Sequence, residues 1–327
     1  MSEMTYGEAT RDATAAAMRR DPTVIVMGED IRWGGSFGQF AGLYDEFGPD
    51  RILDMPISES LIVAAGLGAA ITGLRPIVSM SFVDFILGAM DELVNQVAKL
   101  RYMFGGQARV PLVLRASDGA VRQAAAQHSQ SLEALFAHIP GLKVVAPSTV
   151  ADARGLLASA IDDDNPVIYL ENKLVGRTRG LLPDGDHRVP IGPAAVRRPG
   201  RDVTLLAYSI MAVRGAEAAE RLAAEAIDVE LIDLRTLVPV DFAAIAASVA
   251  KTHRVIIAHE ANKTGGLGAE LGCRIAEELF DELDAPVARV GARDMPVPFS
   301  PALEQAVLPG PEDIVRAARA LLGRRPR

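Results

Sequence analysis

A single cysteine, Cys273, stands among 327 residues, so no disulfide can form within the chain and a reducing compartment fits. It falls in an apolar, helix-like run and reads as a small core residue, not a nucleophile. Lysine is scarce beside arginine, and the basic residues are scattered apart from an Arg324-Arg325-Pro326-Arg327 tail. With a net charge of -8, that distribution argues against nucleic-acid binding. No uncharged apolar run reaches the roughly 18 residues a membrane span requires. The start, Met1 to Glu8, lacks the basic-then-apolar pattern of a signal peptide, so a cytoplasmic location is expected. The five histidines show no metal-ligand spacing. Neither a phosphate-cradling Gly-x-x-x-x-Gly-Lys loop nor a Gly-x-Ser-x-Gly elbow occurs, so P-loop and serine-hydrolase chemistries lack their parts.

What is present is ordinary globular composition, 49% hydrophobic and 23% charged, with length for about two domains. Tyr6 to Arg20 reads as an amphipathic helix. Short apolar runs at Thr23–Met27, Ile52–Asp54, Pro76–Met80, Val110–Arg115 and Leu142–Ala146 read as strands, and Phe85 to Phe104 as one long helix. Such alternation predicts an α/β fold with a parallel sheet covered by helices on both faces. A Gly-, Pro- and charge-rich break falls around Arg177 to Arg201. Beyond it the alternation restarts at Val203–Ala207, Val229–Asp233 and Val255–Ala258, giving a second, smaller α/β domain. The expected boundaries are 4–180 for the first domain, 181–200 for the linker and 201–325 for the second domain. Gly265-Gly266-Leu267-Gly268 after a strand superficially suits a dinucleotide loop, but the spacing fits a tight helix entry better. Gly66 and Gly68 read as sites of close helix packing.

Glu59 is the residue with most to say. It follows a Pro56 turn and opens the apolar run Leu61 to Ala70, which predicts a helix buried on most sides. The helix dipole favours its ionised form while apolar walls oppose it, so the carboxyl is poised to exchange a strong hydrogen bond with a ligand. The plainer alternative is a carboxylate that merely completes the first turn.

Several segments in order carry a resemblance. They are Met27-Gly28-Glu29-Asp30, Pro56-Ile57-Ser58-Glu59, Arg101-Tyr102, Gln127-His128-Ser129-Gln130, Pro140 to Val145, and Asp162 to Val167. From about residue 4 to residue 322 the chain resembles the β subunit of the thiamine-diphosphate-dependent decarboxylating component of 2-oxo acid dehydrogenase complexes, in the transketolase superfamily. Arg101 to Gly106, Ala125 to Ser131 and Pro296 to Glu304 look most like the acetoin dehydrogenase branch, with the pyruvate and branched-chain branches close behind.

The resemblance implies an amino-terminal pyrimidine-binding domain and a carboxyl-terminal transketolase-type domain. It gives Glu59 the task of hydrogen-bonding the aminopyrimidine nitrogen of thiamine diphosphate, which promotes proton loss from the thiazolium carbon. Phe85 would stack on the pyrimidine, and Ile57 and Glu29 would line its pocket. His128 would shuttle protons or meet the lipoyl group, a role suited to imidazole. Leu112, Ala160, Asp163 and Asn165 match a potassium-type loop that uses backbone carbonyls in part. The superfamily's Gly-Asp-Gly motif for Mg²⁺ is missing, so the metal and diphosphate would be held mainly by an α subunit. The implied assembly is two α and two β chains, with a lipoylated dihydrolipoamide acyltransferase core as further partner. Pyruvate-type decarboxylation with acyl transfer to lipoyllysine is the leading expectation. Acetoin cleavage is the alternative, and a homologue kept only as an inactive scaffold or regulator is a third.

Overall fold

The structure, a computed structural model, describes residues 1–121 and 123–323; Arg122 and the Arg324-Arg325-Pro326-Arg327 tail lie outside the described residues. The chain divides into two compact units. The first comprises Met1–Asp118 and Leu135–Ile191, the second Gly119–Ala134 and Gly192–Arg327.

The first unit opens with strand β1 (Ser2–Thr5) and helix α1 (Tyr6–Arg20). Thr5 caps α1 by accepting the Glu8 N–H while the Glu8 carboxylate returns to the Thr5 N–H, a reciprocal pair that fixes where the helix starts. Then follow β2 (Val24–Gly28), the short α2 (Leu43–Phe47), β3 (Ile52–Asp54), α3 (Glu59–Ile71) and β4 (Arg75–Met80). After a 3₁₀ helix (Val83–Ala89) and a π-helical segment (Glu92–Val97) come α4 (Leu100–Met103), β5 (Val113–Asp118) and α5 (Glu133–Ala137), of which the part from Leu135 onward belongs to this unit. The unit closes with β6 (Lys143–Val145), α6 (Val150–Asp162), β7 (Val167–Asn172) and β8 (Arg179–Leu182), the last antiparallel to β1.

Its main sheet is parallel, in the order β6-β7-β5-β4-β2-β3. Strands β2, β4, β5 and most of β7 are buried along their length, as expected when helices cover both faces. The core on one face joins Ala13, Met18, Val26, Phe40, Ile52, Leu156, Ile161 and Tyr169. Through this core runs a buried charge: Arg115 ion-pairs with Glu171, donates to Thr10 Oγ1 at 2.6 Å and lies 4.9 Å over the Phe40 ring.

Two expectations for this unit change. The long helix over Phe85–Phe104 is broken into three winding types, and the Ala98 N–H reaches back five residues to the Leu93 carbonyl at 3.0 Å. Such a π segment adds a residue to the turn and re-aims the side chains that follow. Nor is α3 buried on most sides. Ile62, Val63, Gly66 and Ala70 face inward, whereas Leu61 is 48% and Ile71 51% exposed. An apolar run records that a helix face avoids water, not that the same chain covers it.

The second unit runs through β9 (Ala195–Arg198), β10 (Val203–Ala207), α7 (Ser209–Ala223), β11 (Val229–Asp233), β12 (Thr236–Val238) and α8 (Phe242–Thr252). It ends with β13 (Val255–Asn262), α9 (Leu267–Glu278), β14 (Ala288–Ala292), α10 (Pro301–Val307) and α11 (Pro311–Leu321). The sheet order is β14-β13-β10-β11-β9, parallel except for β9 at one edge. Gly266 and Gly268 do mark a helix entry, and the reason is His259. A Cβ on Gly268 would lie 2.6 Å from the buried imidazole, and one on Gly266 2.7 Å from it. Cys273 is corrected: it lies on the outer face of α9, exposed, with Sγ 3.5 Å from Glu277 Oε1. The helical period carries Leu271 and Ile275 to the core and leaves position 273 outside.

Candidate active site

In the first unit the strand order reverses at β2, which pairs with β3 on one side and β4 on the other. Ligand crevices in open α/β sheets form beyond the carboxyl ends of the strands at such a reversal. Glu29 directly follows β2, Ile57 and Glu59 follow β3, and Phe85 follows β4. Four of the sequence-predicted residues therefore leave the ends of three adjacent strands. Close backbone approach holds this corner together: a Cβ on Gly28 would lie 2.6 Å from the Ser79 carbonyl oxygen.

Glu59 opens α3 at its positive end. Beside it is Gly88, exposed, where an added Cβ would lie 3.7 Å from Glu59 Oε2. The missing side chain leaves open the flank of the carboxyl group. Glu29 is half-buried, and its Oε1 is buried without a hydrogen-bond partner among the described residues. Burial pushes the Glu29 carboxyl above the usual range, and the nearby charges of Glu59 and Asp30 push the same way. A buried polar atom without a partner is costly unless a ligand satisfies it. Ile57 is 81% exposed and Phe85 half-buried, so the walls of this corner are apolar and open. Two carboxyl groups, an aromatic face and an apolar wall fit a flat, nitrogen-bearing heterocycle.

Phe85 does not stand alone. Its ring meets Phe82 edge-on at 5.7 Å, and Phe82 meets Phe37 edge-on at 5.5 Å. The Lys173 ammonium lies 4.8 Å over Phe82 and 4.0 Å from Asp84 Oδ2. Phe37 borders a cavity of about 330 Å³ lined also by Tyr6, Ser36, Gln39, Ser117, Asn172 and Lys173. Sequence reasoning missed this row, because Phe37, Phe82 and Lys173 meet only through the sheet order.

His128 lies elsewhere in the chain's organisation. It sits half-buried in a short 3₁₀ turn (Ala126–His128) within Gly119–Ala134, the segment that belongs to the second unit. The segment's neck is closed by the Gly119 N–H on the Gln130 carbonyl at 2.9 Å. At its end, Glu133 accepts the Tyr208 hydroxyl at 2.6 Å; burial raises the Glu133 carboxyl above its usual range despite that bond.

Of the residues matched to a potassium-type loop, Ala160, Asp163 and Asn165 lie at the end of α6 and just after it, and Leu112 is joined to Val167 on the neighbouring strand. The Leu112 carbonyl accepts the Val167 N–H at 2.9 Å and the Ala160 carbonyl accepts the Asp163 N–H at 3.3 Å. Asp163 Oδ1 accepts the Asn165 backbone N–H at 2.9 Å, and Lys143 pairs with the other carboxylate oxygen. Burial pulls the Asp163 carboxyl upward, but Lys143 and Asn165 outweigh it and hold the group below the usual range. Arg101 donates to Asn165 Oδ1 at 2.7 Å. Lys143 thus neutralises Asp163, and the Leu112 and Ala160 carbonyls each already accept a backbone N–H.

No helix among the described residues is long and apolar enough to cross a membrane. The family model "Transketolase, pyrimidine binding domain" matches residues 2–178, and "Transketolase, C-terminal domain" matches residues 192–314. The chain is 44% identical over 333 residues to the acetoin:2,6-dichlorophenolindophenol oxidoreductase subunit beta of Bacillus subtilis (strain 168), covering 98% of this chain and 97% of that one. It is also 44% identical over 323 residues to the pyruvate dehydrogenase E1 component subunit beta of Porphyra purpurea, covering 98% of each. Among solved structures, a split gene transketolase in an inactive beta4 tetramer matches with a TM-score of 0.78 and 25% identity over 98% of both chains.

Proposed function

The chain belongs to the transketolase superfamily, in the family of pyruvate and acetoin dehydrogenase β subunits, and from that premise we propose that it supplies the pyrimidine-binding half of a thiamine-diphosphate enzyme that decarboxylates a 2-oxo acid. The observation that carries the reading is the corner beyond β2, β3 and β4. There a partnerless buried oxygen of Glu29, the carboxyl of Glu59 and the ring of Phe85 suit an aminopyrimidine. When bound, the cofactor supplies a nucleophilic carbon and an electron sink.

The chain's own residues have narrower tasks. Glu59 holds a proton in a hydrogen bond to the pyrimidine ring nitrogen and sets its tautomer. Glu29, kept more readily protonated by burial and by Glu59, offers a second hydrogen bond at the same corner. Phe85 and Ile57 orient the ring and exclude water from one side of it. His128 would hold and release a proton toward the reacting group, for transfer of an acyl unit to lipoyllysine on a dihydrolipoamide acyltransferase core. Mg²⁺ and the diphosphate belong with an α subunit, since this chain has no Gly-Asp-Gly motif. The working enzyme is a cytoplasmic assembly of two α and two β chains, inactive as β alone. A potassium ion would rest on the Leu112 and Ala160 carbonyls, because Lys143 already neutralises Asp163.

Acetoin cleavage is the second reading. A relative named for acetoin matches at the same 44% identity as one named for pyruvate. The test is turnover of pyruvate, branched-chain 2-oxo acids and acetoin with an artificial electron acceptor, using this chain co-expressed with an α subunit. Loss of turnover in Glu59→Ala, in an intact complex, supports the assignment, and the preferred substrate names the branch. Wild-type turnover in that variant would return Glu59 to a helix-start residue.

A further inference from the structure

The loop that carries His128 is wound in conformations that ordinary side chains avoid. Gln123 has φ 65° and Ala125 φ 58° with ψ -166°, the latter a region essentially reserved for glycine. Backbone of that kind persists only where its surroundings over-determine it. The surroundings are on the second unit. Glu260, on β13 and buried, accepts the Ala120 N–H on Oε1 at 2.8 Å. Its other oxygen faces the Arg214 guanidinium at 3.4 Å, and Arg214 is itself held by the Pro309 carbonyl at 2.8 Å. Glu304, on α10 and buried, accepts the N–H of the strained Gln123 on Oε2 at 2.7 Å. Tyr208, at the start of α7, holds the far end through Glu133 at 2.6 Å.

We propose that Glu304 and Glu260 are positioning residues: they clamp the backbone at Ala120 and Gln123 so that His128 is presented in its working orientation. Hydrogen bonds from backbone N–H groups to carboxylates are among the stronger neutral-to-charged contacts, and here both acceptors are buried. The alternative for Glu304 is an ordinary buried acceptor that only stabilises α10. Two things favour the clamp. The donor it takes belongs to a left-handed residue in the loop, not to its own helix. And two different elements of one unit, β13 and α10, converge on the single loop that bears the one candidate catalytic histidine, while Tyr208 holds Glu133 just beyond it.

The inference rests on the role given to His128 above, and the test separates the two. In the assembled α–β complex, turnover is compared for wild type, His128→Ala, Glu304→Ala, Glu304→Gln and the double variant His128→Ala/Glu304→Ala. Amide hydrogen exchange of peptides covering 119–130 is followed in parallel. The clamp predicts faster exchange across that loop in Glu304→Ala and a fall in kcat of about 10²-fold, the scale of a small misplacement of a reacting group. It further predicts no additional loss when Glu304→Ala is added to His128→Ala. Recovery is expected in Glu304→Gln, whose amide oxygen still accepts the Gln123 N–H. A purely structural Glu304 would instead lower turnover equally in both backgrounds, which would overturn the proposal. So would unchanged exchange, or full turnover in Glu304→Ala beside an inactive His128→Ala. Full turnover in His128→Ala would remove the role of His128 itself and the positioning role with it, while leaving the Glu59 assignment untouched.

Discussion

At the mouth of the first sheet, Glu29 keeps a buried oxygen without a hydrogen-bond partner, and a second carboxylate, Glu59, lies close enough to raise its proton affinity. In the second unit, Glu260 and Glu304 are more deeply buried, yet each spends an oxygen on a backbone N–H of one loop. The same side chain thus serves two ends. Where a carboxyl group is left half-buried and unanswered, the fold has carried a cost that a ligand can relieve. Where it is answered by backbone, it fixes geometry and has no capacity left for chemistry. The distinction is made by partners, not by burial alone.

The strongest break of that comparison is Glu59→Ala in the α–β complex. A fall in kcat of about 10²–10⁴-fold is expected, with little change in the unfolding midpoint, because the group rests at a helix start and not in the core. Next comes a buried charge of neither kind. Arg115 is 1% exposed, paired with Glu171 and tied to Thr10. Arg115→Ala would leave Glu171 without its partner, and a loss of about 3–5 kcal/mol is expected in denaturant unfolding. Near-neutral behaviour would mean that the pair is structurally idle.

His259 sharpens the comparison through pH. It is fully buried, stacked against Tyr208 with ring centres 6.4 Å apart, with Nδ1 on the Ala261 carbonyl at 3.1 Å. Burial lowers its pKa from the ordinary 6.5 to about 4, opposed by the Ala261 carbonyl and assisted by Arg289 and Lys263. The imidazole is therefore neutral in the fold but takes a proton when the chain unfolds. Its contribution is complete above about pH 6.5 and is lost as pH falls toward about 4. Across that window wild type should lose roughly 3 kcal/mol more than His259→Asn, read as the difference between their unfolding curves at each pH. Parallel curves would show that the site admits a proton without penalty.

How far the sequence could be read follows the same line. Glu59 stood out because it follows a Pro turn and opens an apolar run, whereas Glu29, Ile57 and Phe85 were named only through the resemblance to the family; the structure sets all four beyond the ends of β2, β3 and β4. The parallel sheets were legible because apolar strands alternate with helices. The Phe37–Phe82–Phe85 row, the Lys173 contact and the Glu304 clamp were not, since each depends on which strands become neighbours. Cys273 was misplaced because an apolar neighbourhood in sequence says nothing of the angle at which one residue leaves its helix. Helix α3 was misread for a related reason: Leu61 and Ile71 are apolar yet exposed, and composition cannot say what covers them.

Two glycines of α3 give the smallest and cleanest test. A Cβ on Gly66 would lie 2.4 Å from Val78 Cγ2 and 3.3 Å from Leu112 Cδ1, inside the seam between α3 and the sheet. Gly66→Ala should therefore cost about 1–3 kcal/mol through overpacking, despite alanine's better helix propensity. A Cβ on Gly68, two residues on, meets no described atom within 4 Å. Gly68→Ala should then stabilise the purified chain by up to about 1 kcal/mol, the helix-propensity gain with no steric term against it. The sequence expectation treated the two glycines alike, as sites of close packing; urea unfolding of both variants separates them by sign. Equal destabilisation would mean that α3 packs more tightly on its outer side than the single chain reveals, whereas opposite signs assign close packing to Gly66 alone.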